Sequence, residues 1–402
     1  MQSDIKACVI DEAKARSIDK LISSEIDAGD LAGSALCVIK DGREVIRRSY
    51  GVRDIASGEP MPAEPIFRMY SMSKPVTSAA AMILLERGVI RLDDPVSRYI
   101  KSFAAQSVWE DGKLVPVRRE VTINDLLNMT SGLVYPDAAT EPGRRMEALF
   151  NDAISRANSG RGYGTVEFCE LIGRQPLAFH PGERWQYGTS ADVLGAVIEV
   201  ASGMRFGDFL KKEIFQPLGM VDTDFYVPSE KLDRFATMYR WHADAPKLRP
   251  YLGSHLVILD FKQPPAFQSG GAGLASTLSD YGRFARMLIN SGELDGVRIL
   301  RRETVEFMHS DRLSDAQRPS FDWEALRGFS YGNLMRVLKD PDALSPMLGG
   351  AGREGEFGWD GWAGTYFMAD PASDMIVLYF ISRIDFDPSP MRAQLKRMLY
   401  GE

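Results

Sequence analysis

The sequence of 402 residues has few of the side chains that metal centres and histidine-based active sites use, with three cysteines and four histidines. The cysteines are scattered and form no C-x-x-C pair, so neither a zinc site nor a disulfide framework is expected. The longest strongly apolar run, Ala79 to Leu85, is far too short to span a bilayer. No lysine or arginine run offers a nucleic-acid surface, and the first residues contain no apolar leader. These absences predict a soluble, cytoplasmic protein with neither a membrane nor a nucleic-acid partner.

The overall composition is that of a folded protein. Hydrophobic residues make up 45% of the chain, and the formal net charge is −7 with both signs interspersed. These values exclude a disordered chain and favour a mildly acidic globular protein. The length is sufficient for two or three domains.

Hydrophobic periodicity and turn residues predict strands towards both ends of the chain and helices between them. An Asp-Gly pair at 41–42 indicates a hairpin. The segment from about 71 to about 215 is mostly helical in pattern. The predicted elements are helices at 13–28, 76–86, 191–200, 278–290 and 391–399, strands at 35–39, 44–49, 362–369 and 375–381, and a long loop at 240–268. One sheet built from both termini, with a helical insertion, accounts for this order.

The familiar catalytic motifs are missing from the sequence, except those built on serine and lysine. H-E-x-x-H, the P-loop and G-x-S-x-G are absent. One G-x-G-x-x-G occurs at 350–355, but no predicted strand leads into it and no helix follows, so we interpret it as a loop. The tetrad S-x-x-K occurs at Ser3–Lys6, Ser17–Lys20 and Ser71–Lys74. The bare tetrad is weak, so its context has to decide.

The context favours Ser71. Pro75 stands where a first helical turn tolerates proline, and an apolar helix follows it. Residues i and i+3 of such a turn share a face, so the Lys74 amine can reach the Ser71 hydroxyl. The alternative is a serine that caps the helix, followed by a solvated lysine. The other two tetrads lie at the chain terminus and on the first amphipathic helix.

Six segments with short motifs are spread over most of the chain. They are Phe67–Lys74 (FRMYSMSK), Leu126–Leu133 (LLNMTSGL), Pro181–Ser190 (PGERWQYGTS), Leu194–Glu199 (LGAVIE), Gly270–Thr277 (GGAGLAST) and Gly358–Gly361 (GWDG). In these motifs and their order the chain resembles the serine β-lactamase and penicillin-binding-protein superfamily. It is nearest to class C β-lactamases, and especially to the family VIII carboxylesterases.

The resemblance implies an α/β (α+β) fold of the β-lactamase type. In this fold an antiparallel sheet is flanked by terminal helices, and the active site lies in a cleft between the sheet and a mostly helical domain. We expect residues 1–66 and 262–402 to form the discontinuous sheet domain. Residues 67–261 would form the helical domain.

The resemblance also implies roles for three catalytic residues. Ser71 would be the nucleophile that forms an acyl-enzyme. Tyr187, in the Y-x-N position, would be the general base, although alone it could be a core tyrosine. A lysine cation nearby would lower the pKa of the phenol, and burial would lower the pKa of Lys74. Thr189 occupies the usual asparagine position and would hold a substrate amide more weakly.

The third motif departs from the K-T-G of β-lactamases and resembles the W-G-G of the esterases. Trp359 would be an apolar wall for a neutral ester, or else a sheet-packing aromatic. Asp360 would repel an anionic substrate if it faces the pocket. Gly361 would allow close backbone approach on an edge strand. The backbone N–H groups of Ser71 and Trp362 would form the oxyanion hole.

Taken together, the residues and the resemblance predict a carboxylic ester hydrolase acting on small to medium neutral esters, with no metal and no cofactor. Tyr135 is a further candidate for the substrate pocket. A β-lactamase, D-amino-acid peptidase, amide hydrolase or acyl transferase using the same site is the alternative, and a catalytically silent binding protein is a third hypothesis. A small-molecule ester is the expected partner, and homo-oligomer formation is left open.

Overall fold

Strands from both ends of the chain form one sheet in the computed structural model, which describes residues 10–401. The strands are β1 (Gly33–Lys40), β2 (Arg43–Asp54), β3 (Glu59–Pro60), β4 (Phe67–Arg68), β5 (Ser107–Glu110), β6 (Lys113–Pro116), β7 (Tyr239–Trp241), β8 (Leu248–Pro250), β9 (Ala275–Ser276), β10 (Glu293–Leu294), β11 (Val297–Arg298), β12 (Phe329–Gly332), β13 (Met335–Leu338), β14 (Phe357–Asp360), β15 (Tyr366–Asp370), β16 (Met375–Ile381) and β17 (Arg383–Ile384). The main sheet has the order β12-β13-β14-β15-β16-β1-β2-β3. Its strand pairs are antiparallel, as predicted.

The helices cover the sheet and fill the middle of the chain. They are α1 (Glu12–Asp27), α2 (Ser73–Glu86), α3 (Ile123–Leu127), α4 (Glu141–Asn158), α5 (Thr165–Gly173), α6 (Ser190–Ser202), α7 (Phe206–Leu210), α8 (Gln216–Leu218), α9 (Leu278–Ile289), α10 (Arg302–Met308) and α11 (Ser389–Tyr400). Among residues 10–401, none of the helices combines the length and the apolarity that a bilayer crossing requires.

Two hydrophobic clusters lie on opposite faces of the sheet. The terminal helices α1 and α11 cover one face, with Ile18, Ile22 and Leu395 packed against strand side chains. On the other face, Tyr281 and Phe284 of α9 belong to the large core that also contains α2 and α6. The sheet flanked by terminal helices is therefore confirmed. Dividing the chain at 66/67 and 261/262 remains a prediction.

The predicted hairpin, the main helices and their ends agree well with the structure. Helix α2 is followed by Gly88 and α6 by Gly203, both with positive φ as a helix-terminating glycine requires. The predicted strand at 362–369 starts too early, because a turn with Gly364 at φ 95° separates β14 from β15. The β5–β6 hairpin interrupts a segment predicted as mostly helical.

Candidate active site

Ser71 lies in a 3-10 turn, Tyr70–Met72, that leads directly into the buried helix α2. The short strand β4 before it pairs with β9, and the Met69 N–H donates to the Leu274 carbonyl oxygen at 2.8 Å. Tyr70 has φ 43°, a left-handed conformation that is rare for a bulky residue. Backbone strain of this kind concentrates at functional sites. The turn presents the half-buried Ser71 hydroxyl at the start of the helix.

Lys74 is fully buried one turn after the serine, as the tetrad predicts. Its Nζ donates to Ser71 Oγ at 3.1 Å, to the Tyr135 hydroxyl at 3.2 Å and to the Gly271 carbonyl oxygen at 2.8 Å. Burial lowers the pKa of Lys74 to about 7. The amine is therefore partly neutral near pH 7, and its neutral form can accept a proton.

A buried carboxylate lies behind the lysine. Asp192, on α6, accepts hydrogen bonds from the Ser269 hydroxyl and from the Gly271 N–H, the latter at 3.1 Å. Gly271 thus bridges the two charged groups, since its carbonyl oxygen accepts from Lys74. The Asp192 charge favours the ammonium and partly offsets the effect of burial on the lysine pKa. Burial also raises the pKa of Asp192 itself.

Tyr187 meets the serine from a distant segment of the chain. Its hydroxyl is hydrogen-bonded to Ser71 and accepts from Trp359 Nε1 at 3.0 Å. The Lys74 Nζ lies 4.5 Å from the centre of its ring. Burial raises the pKa of Tyr187, and the hydrogen bonds to Ser71 and Trp359 only partly oppose that rise. The expected lowering of the phenol pKa is therefore wrong, because desolvation outweighs the neighbouring cation.

A second tyrosine belongs to the same cluster. The Tyr135 hydroxyl accepts from Lys74, and its ring packs edge-on against Tyr187 with centroids 5.6 Å apart. The segments that carry Tyr135 and Tyr187 can approach closely because residue 188 is glycine. A Cβ at Gly188 would be only 2.1 Å from the Leu133 carbonyl oxygen. Burial raises the pKa of Tyr135 well above its ordinary value. Tyr135, predicted as a substrate contact, is thus placed against Lys74.

The third motif presents its two side chains to opposite faces of β14, as alternation along a strand requires. Trp359 faces Tyr187, whereas Asp360 forms ion pairs with Arg336 and with Arg392, the second at 2.7 Å. Both oxygens of the Asp360 carboxylate are engaged by arginines, and its side chain is 39% exposed, so a contact between Asp360 and substrate remains a prediction.

Gly361 is required by close approach, as predicted. A Cβ there would lie 2.4 Å from the Met69 carbonyl oxygen, next to the turn that carries Ser71. However, β14 is the third strand of the sheet, between β13 and β15, so the expected edge position is wrong.

Trp362 follows directly and lies beside the turn that carries Ser71. Its ring packs edge-on against Tyr70 with centroids 5.2 Å apart, and His255 stacks flat on it at 3.7 Å. Burial, aided by the nearby Lys74 charge, lowers the pKa of His255 to about 4, so its imidazole is neutral near pH 7. A neutral imidazole can stack on the indole without placing a second cation in the cleft.

Thr189, predicted to hold a substrate amide weakly, lies inside the protein. It is fully buried where α6 begins, and its hydroxyl has no hydrogen-bond partner among the described residues. A contact between Thr189 and substrate remains a prediction.

Three residues near the site escaped the sequence interpretation. Asp192 and His255 reach it by tertiary packing alone, and Trp323 packs its ring 5.4 Å from that of Tyr187. Trp323 is 42% exposed, beside a short 3-10 turn. The sequence around Trp323 contains no motif that would have indicated this contact. The position of Asp192 in the first turn of α6 could have indicated that residue.

The competing serine–lysine tetrad on α1 is not a comparable site. Ser17 and Lys20 are exposed on α1, and the Ser17 hydroxyl donates to the Ala13 carbonyl oxygen. The tetrad Ser3–Lys6 lies outside the described residues. Within residues 10–401, no group of three or more histidine, cysteine, aspartate or glutamate side chains is arranged to hold a metal ion.

Comparisons with known proteins identify the family of the chain. The sequence model of the Beta-lactamase family matches residues 18–398. Protein Rv1367c from Mycobacterium tuberculosis is 37% identical over 88% of this chain and 86% of its own length. Esterase EstB from Burkholderia gladioli is 30% identical over 90% of this chain and 89% of its own length.

Among solved structures, EstCE1, described as a hydrolase with promiscuous acyltransferase activity, superposes with a TM-score of 0.82. The superposition covers 97% of this chain and 99% of EstCE1 at 24% sequence identity, so it bears on the fold alone. The family match spans nearly all of the described chain. The chain therefore belongs to the beta-lactamase family, and it is a serine hydrolase that resembles the family VIII carboxylesterases.

Proposed function

We propose that the protein is a carboxylic ester hydrolase that acts through an acyl-enzyme on Ser71, with Lys74 and Tyr187, on small to medium neutral esters. One observation carries the proposal: a fully buried lysine with a pKa of about 7 lies 3.1 Å from the serine hydroxyl. A buried amine that is partly neutral near pH 7 is suited to activate a serine at that pH.

In the first half-reaction, neutral Lys74 accepts the Ser71 proton while Oγ forms a bond to the ester carbonyl carbon. The N–H groups of Ser71 and Trp362 donate to the oxyanion that develops. As the bond to the alcohol breaks, the Tyr187 hydroxyl protonates the leaving oxygen. The Lys74 ammonium then returns a proton to the phenolate, so both residues regain their starting states.

In the second half-reaction, water replaces the alcohol. Neutral Lys74 accepts a proton from the water as the water oxygen attacks the acyl carbon. The bond to Ser71 Oγ breaks, and the Lys74 ammonium returns a proton to Oγ as the acid leaves. The raised pKa of Tyr187 favours this order, because a phenol that keeps its proton serves better as a donor than as the first base.

The residue at position 359 and the name of one relative favour a neutral ester as the substrate. Trp359 replaces the lysine of K-T-G, so the cation that would pair a substrate carboxylate is missing from that position. The indole N–H of Trp359 instead donates a hydrogen bond to the Tyr187 hydroxyl. EstB, one of the relatives, is named an esterase.

The alternative keeps the site and changes the bond or the acceptor: a β-lactam, a D-amino-acid peptide, another amide, or acyl transfer to an alcohol. Acyl transfer differs from hydrolysis only in which nucleophile meets the acyl-enzyme. EstCE1 is described as having both activities. A cytoplasmic location and homo-oligomer formation also remain predictions.

The test compares substrates on one purified protein. We expect p-nitrophenyl acetate and butyrate to turn over with an initial burst, and nitrocefin and D-alanyl amides to turn over far more slowly. Ser71→Ala should abolish ester turnover, whereas Ser17→Ala, in the exposed tetrad on α1, should leave it unchanged. Nitrocefin or amide turnover above ester turnover would establish the alternative, and ester turnover that survives in Ser71→Ala would refute both.

A further inference from the structure

Three stacked rings, those of Tyr70, Trp362 and His255, lie beside the turn that carries Ser71. The His255 imidazole lies flat on the Trp362 indole, with centroids 3.7 Å apart and planes inclined by 5°. The Tyr70 ring packs edge-on against both, with centroids 5.2 Å from Trp362 and 5.7 Å from His255. His255 therefore contacts each of the other two rings.

The stack links the two backbone segments that would supply the oxyanion hole. Tyr70 immediately precedes Ser71, and Trp362 carries the second expected N–H donor on its own backbone. The same segments also meet where the Thr365 hydroxyl donates to the Met69 carbonyl oxygen at 3.3 Å. The side chains of Tyr70 and Trp362 thus help to set the distance between the two expected donors.

A strained turn holds His255 in the stack. The His255 N–H donates to the Ile258 carbonyl oxygen at 3.1 Å, and the Ile258 N–H donates to the His255 carbonyl oxygen at 2.8 Å. The two residues between them, Leu256 and Val257, have φ 51° and 65°. Two consecutive left-handed residues are usually Asn-Gly or Gly-Gly, and this conformation is rare for a β-branched valine. Such strain persists only where the surrounding structure enforces it.

The imidazole contributes a flat ring to the stack and no charge. Burial and the nearby Lys74 charge lower the pKa of His255 to about 4, so the ring is neutral near pH 7. A neutral aromatic ring of similar size, such as that of phenylalanine, can make the same flat contact. A histidine that acted by proton transfer would not be replaceable in this way.

We propose that His255 is a positioning residue for ester hydrolysis, which holds the Trp362 indole against Tyr70 and so aligns the N–H groups of Ser71 and Trp362 on the oxyanion. The proposal rests on the proposed function, since an oxyanion develops only when Ser71 attacks an ester carbonyl. A complete oxyanion-hole donor supplies about a hundredfold to a thousandfold in kcat, and a donor that moves out of line loses part of that factor.

The test changes the ring at position 255 and keeps its bulk. His255→Leu removes the flat ring, whereas His255→Phe retains one. His309→Leu is the matched control, because His309 is also half-buried and lies flat on another aromatic ring, that of Phe357, with centroids 4.6 Å apart. Circular dichroism and thermal unfolding check the fold and the stability of each variant.

Two substrates separate the oxyanion hole from a general loss of structure. They are p-nitrophenyl acetate and its thionoester, in which sulfur replaces the carbonyl oxygen. Sulfur is a weak hydrogen-bond acceptor, so we expect His255→Leu to lower kcat/KM about tenfold or more for the oxygen ester and less than about threefold for the thionoester. His255→Phe should restore the oxygen ester to within about threefold of the wild type, because the flat contact is kept. His309→Leu should leave the ratio of the two substrates unchanged.

A double-mutant cycle with Trp362→Leu requires the oxygen ester alone. Trp362→Leu removes the indole but keeps the backbone N–H. Because His255 acts through that indole, His255→Leu should lower kcat/KM by less than about twofold when Trp362→Leu is already present, compared with about tenfold in the wild-type background.

Equal losses for the two substrates in His255→Leu, or an equal loss with and without the Trp362 indole, would overturn the positioning role while leaving the ester hydrolase intact. A His255→Phe variant as slow as His255→Leu would overturn it as well. A wild-type protein that does not hydrolyse p-nitrophenyl acetate would overturn both proposals.

Discussion

The buried charge pair predicts a specific pH dependence and a specific way to move it. If neutral Lys74 is the first proton acceptor, kcat/KM for a neutral ester rises with pH and is half-maximal near the lysine pKa of about 7. Below that value the rate falls about tenfold per pH unit, because the ammonium cannot accept a proton. Asp192→Asn removes the carboxylate that favours the ammonium, so the lysine pKa falls and the rise shifts towards acid.

The Lys74 amine and the Asp192 carboxylate share Gly271 as a hydrogen-bond partner, and their proximity determines the size of that shift. At an effective dielectric constant of about 20, two unit charges about 5–10 Å apart attract each other by about 1.7–3.3 kcal/mol, which corresponds to roughly one to two pKa units. We expect a shift of about one to two pH units, since the surrounding dipoles relax. Asparagine keeps an oxygen to accept from the Gly271 N–H, so the local structure should persist.

The assay is the initial rate of p-nitrophenyl acetate hydrolysis between pH 5 and 9, extrapolated to kcat/KM. Asp280→Asn is the matched control, because Asp280 is also buried but is hydrogen-bonded to Thr223 and to the Asp222 N–H instead of facing the lysine. Its profile should coincide with that of the wild type. A wild-type profile without a rise near pH 7, or an Asp192→Asn profile that coincides with it, would refute this role of the pair.

Three further substitutions separate catalysis from stability. Trp359→Phe keeps a ring but removes the N–H that donates to the Tyr187 hydroxyl at 3.0 Å, so kcat should fall about tenfold in steady-state assays. An unchanged kcat would contradict a role of this hydrogen bond in catalysis. Asp360→Asn removes the charge that pairs with two buried arginines, so thermal unfolding should show a free energy of unfolding lower by about 1–3 kcal/mol. The value of kcat/KM should stay within about twofold of the wild type, and a selective rise in KM would indicate that Asp360 contacts the substrate. Gly361→Ala places a Cβ 2.4 Å from the Met69 carbonyl oxygen, so both Tm and activity should fall, and a native Tm would contradict the close approach.

Local patterns in the sequence were sufficient to predict the contact between Ser71 and Lys74 and the helix that follows it. The hydroxyl, the amine three residues later, Pro75 and the apolar run lie within one segment, and a first helical turn fixes their geometry. The contact between Lys74 and Ser71 therefore follows from spacing. The resemblance supplied the distant Tyr187, which no local rule connects to that helix.

Residues held by tertiary packing alone could not be found in this way. In the sequence, Asp192 is an acidic residue in the first turn of a helix, and His255 is part of a predicted long loop. Only the folded chain brings them close enough to shift pKa values in the cluster. Burial also explains the wrong direction for Tyr187, because desolvation depends on neighbours from many segments.

The third motif shows where strand rules succeed and fail. Alternation predicts that Trp359 and Asp360 face opposite ways, but the partners that neutralise Asp360 come from β13 and from the last helix. The glycine-rich turn after β14 resembled the start of a strand because Trp362 and Tyr366 are β-favouring residues. Positive φ at Gly364 ends that strand pattern.

The most direct measurement of the central claim is the mass of the enzyme trapped during turnover. Acid quenching within the burst with p-nitrophenyl butyrate, followed by peptide mapping, should locate one added butyryl group on Ser71, and the group should be absent in Ser71→Ala. An acyl group on another residue, or a burst without any covalent adduct, would contradict the acyl-enzyme on Ser71.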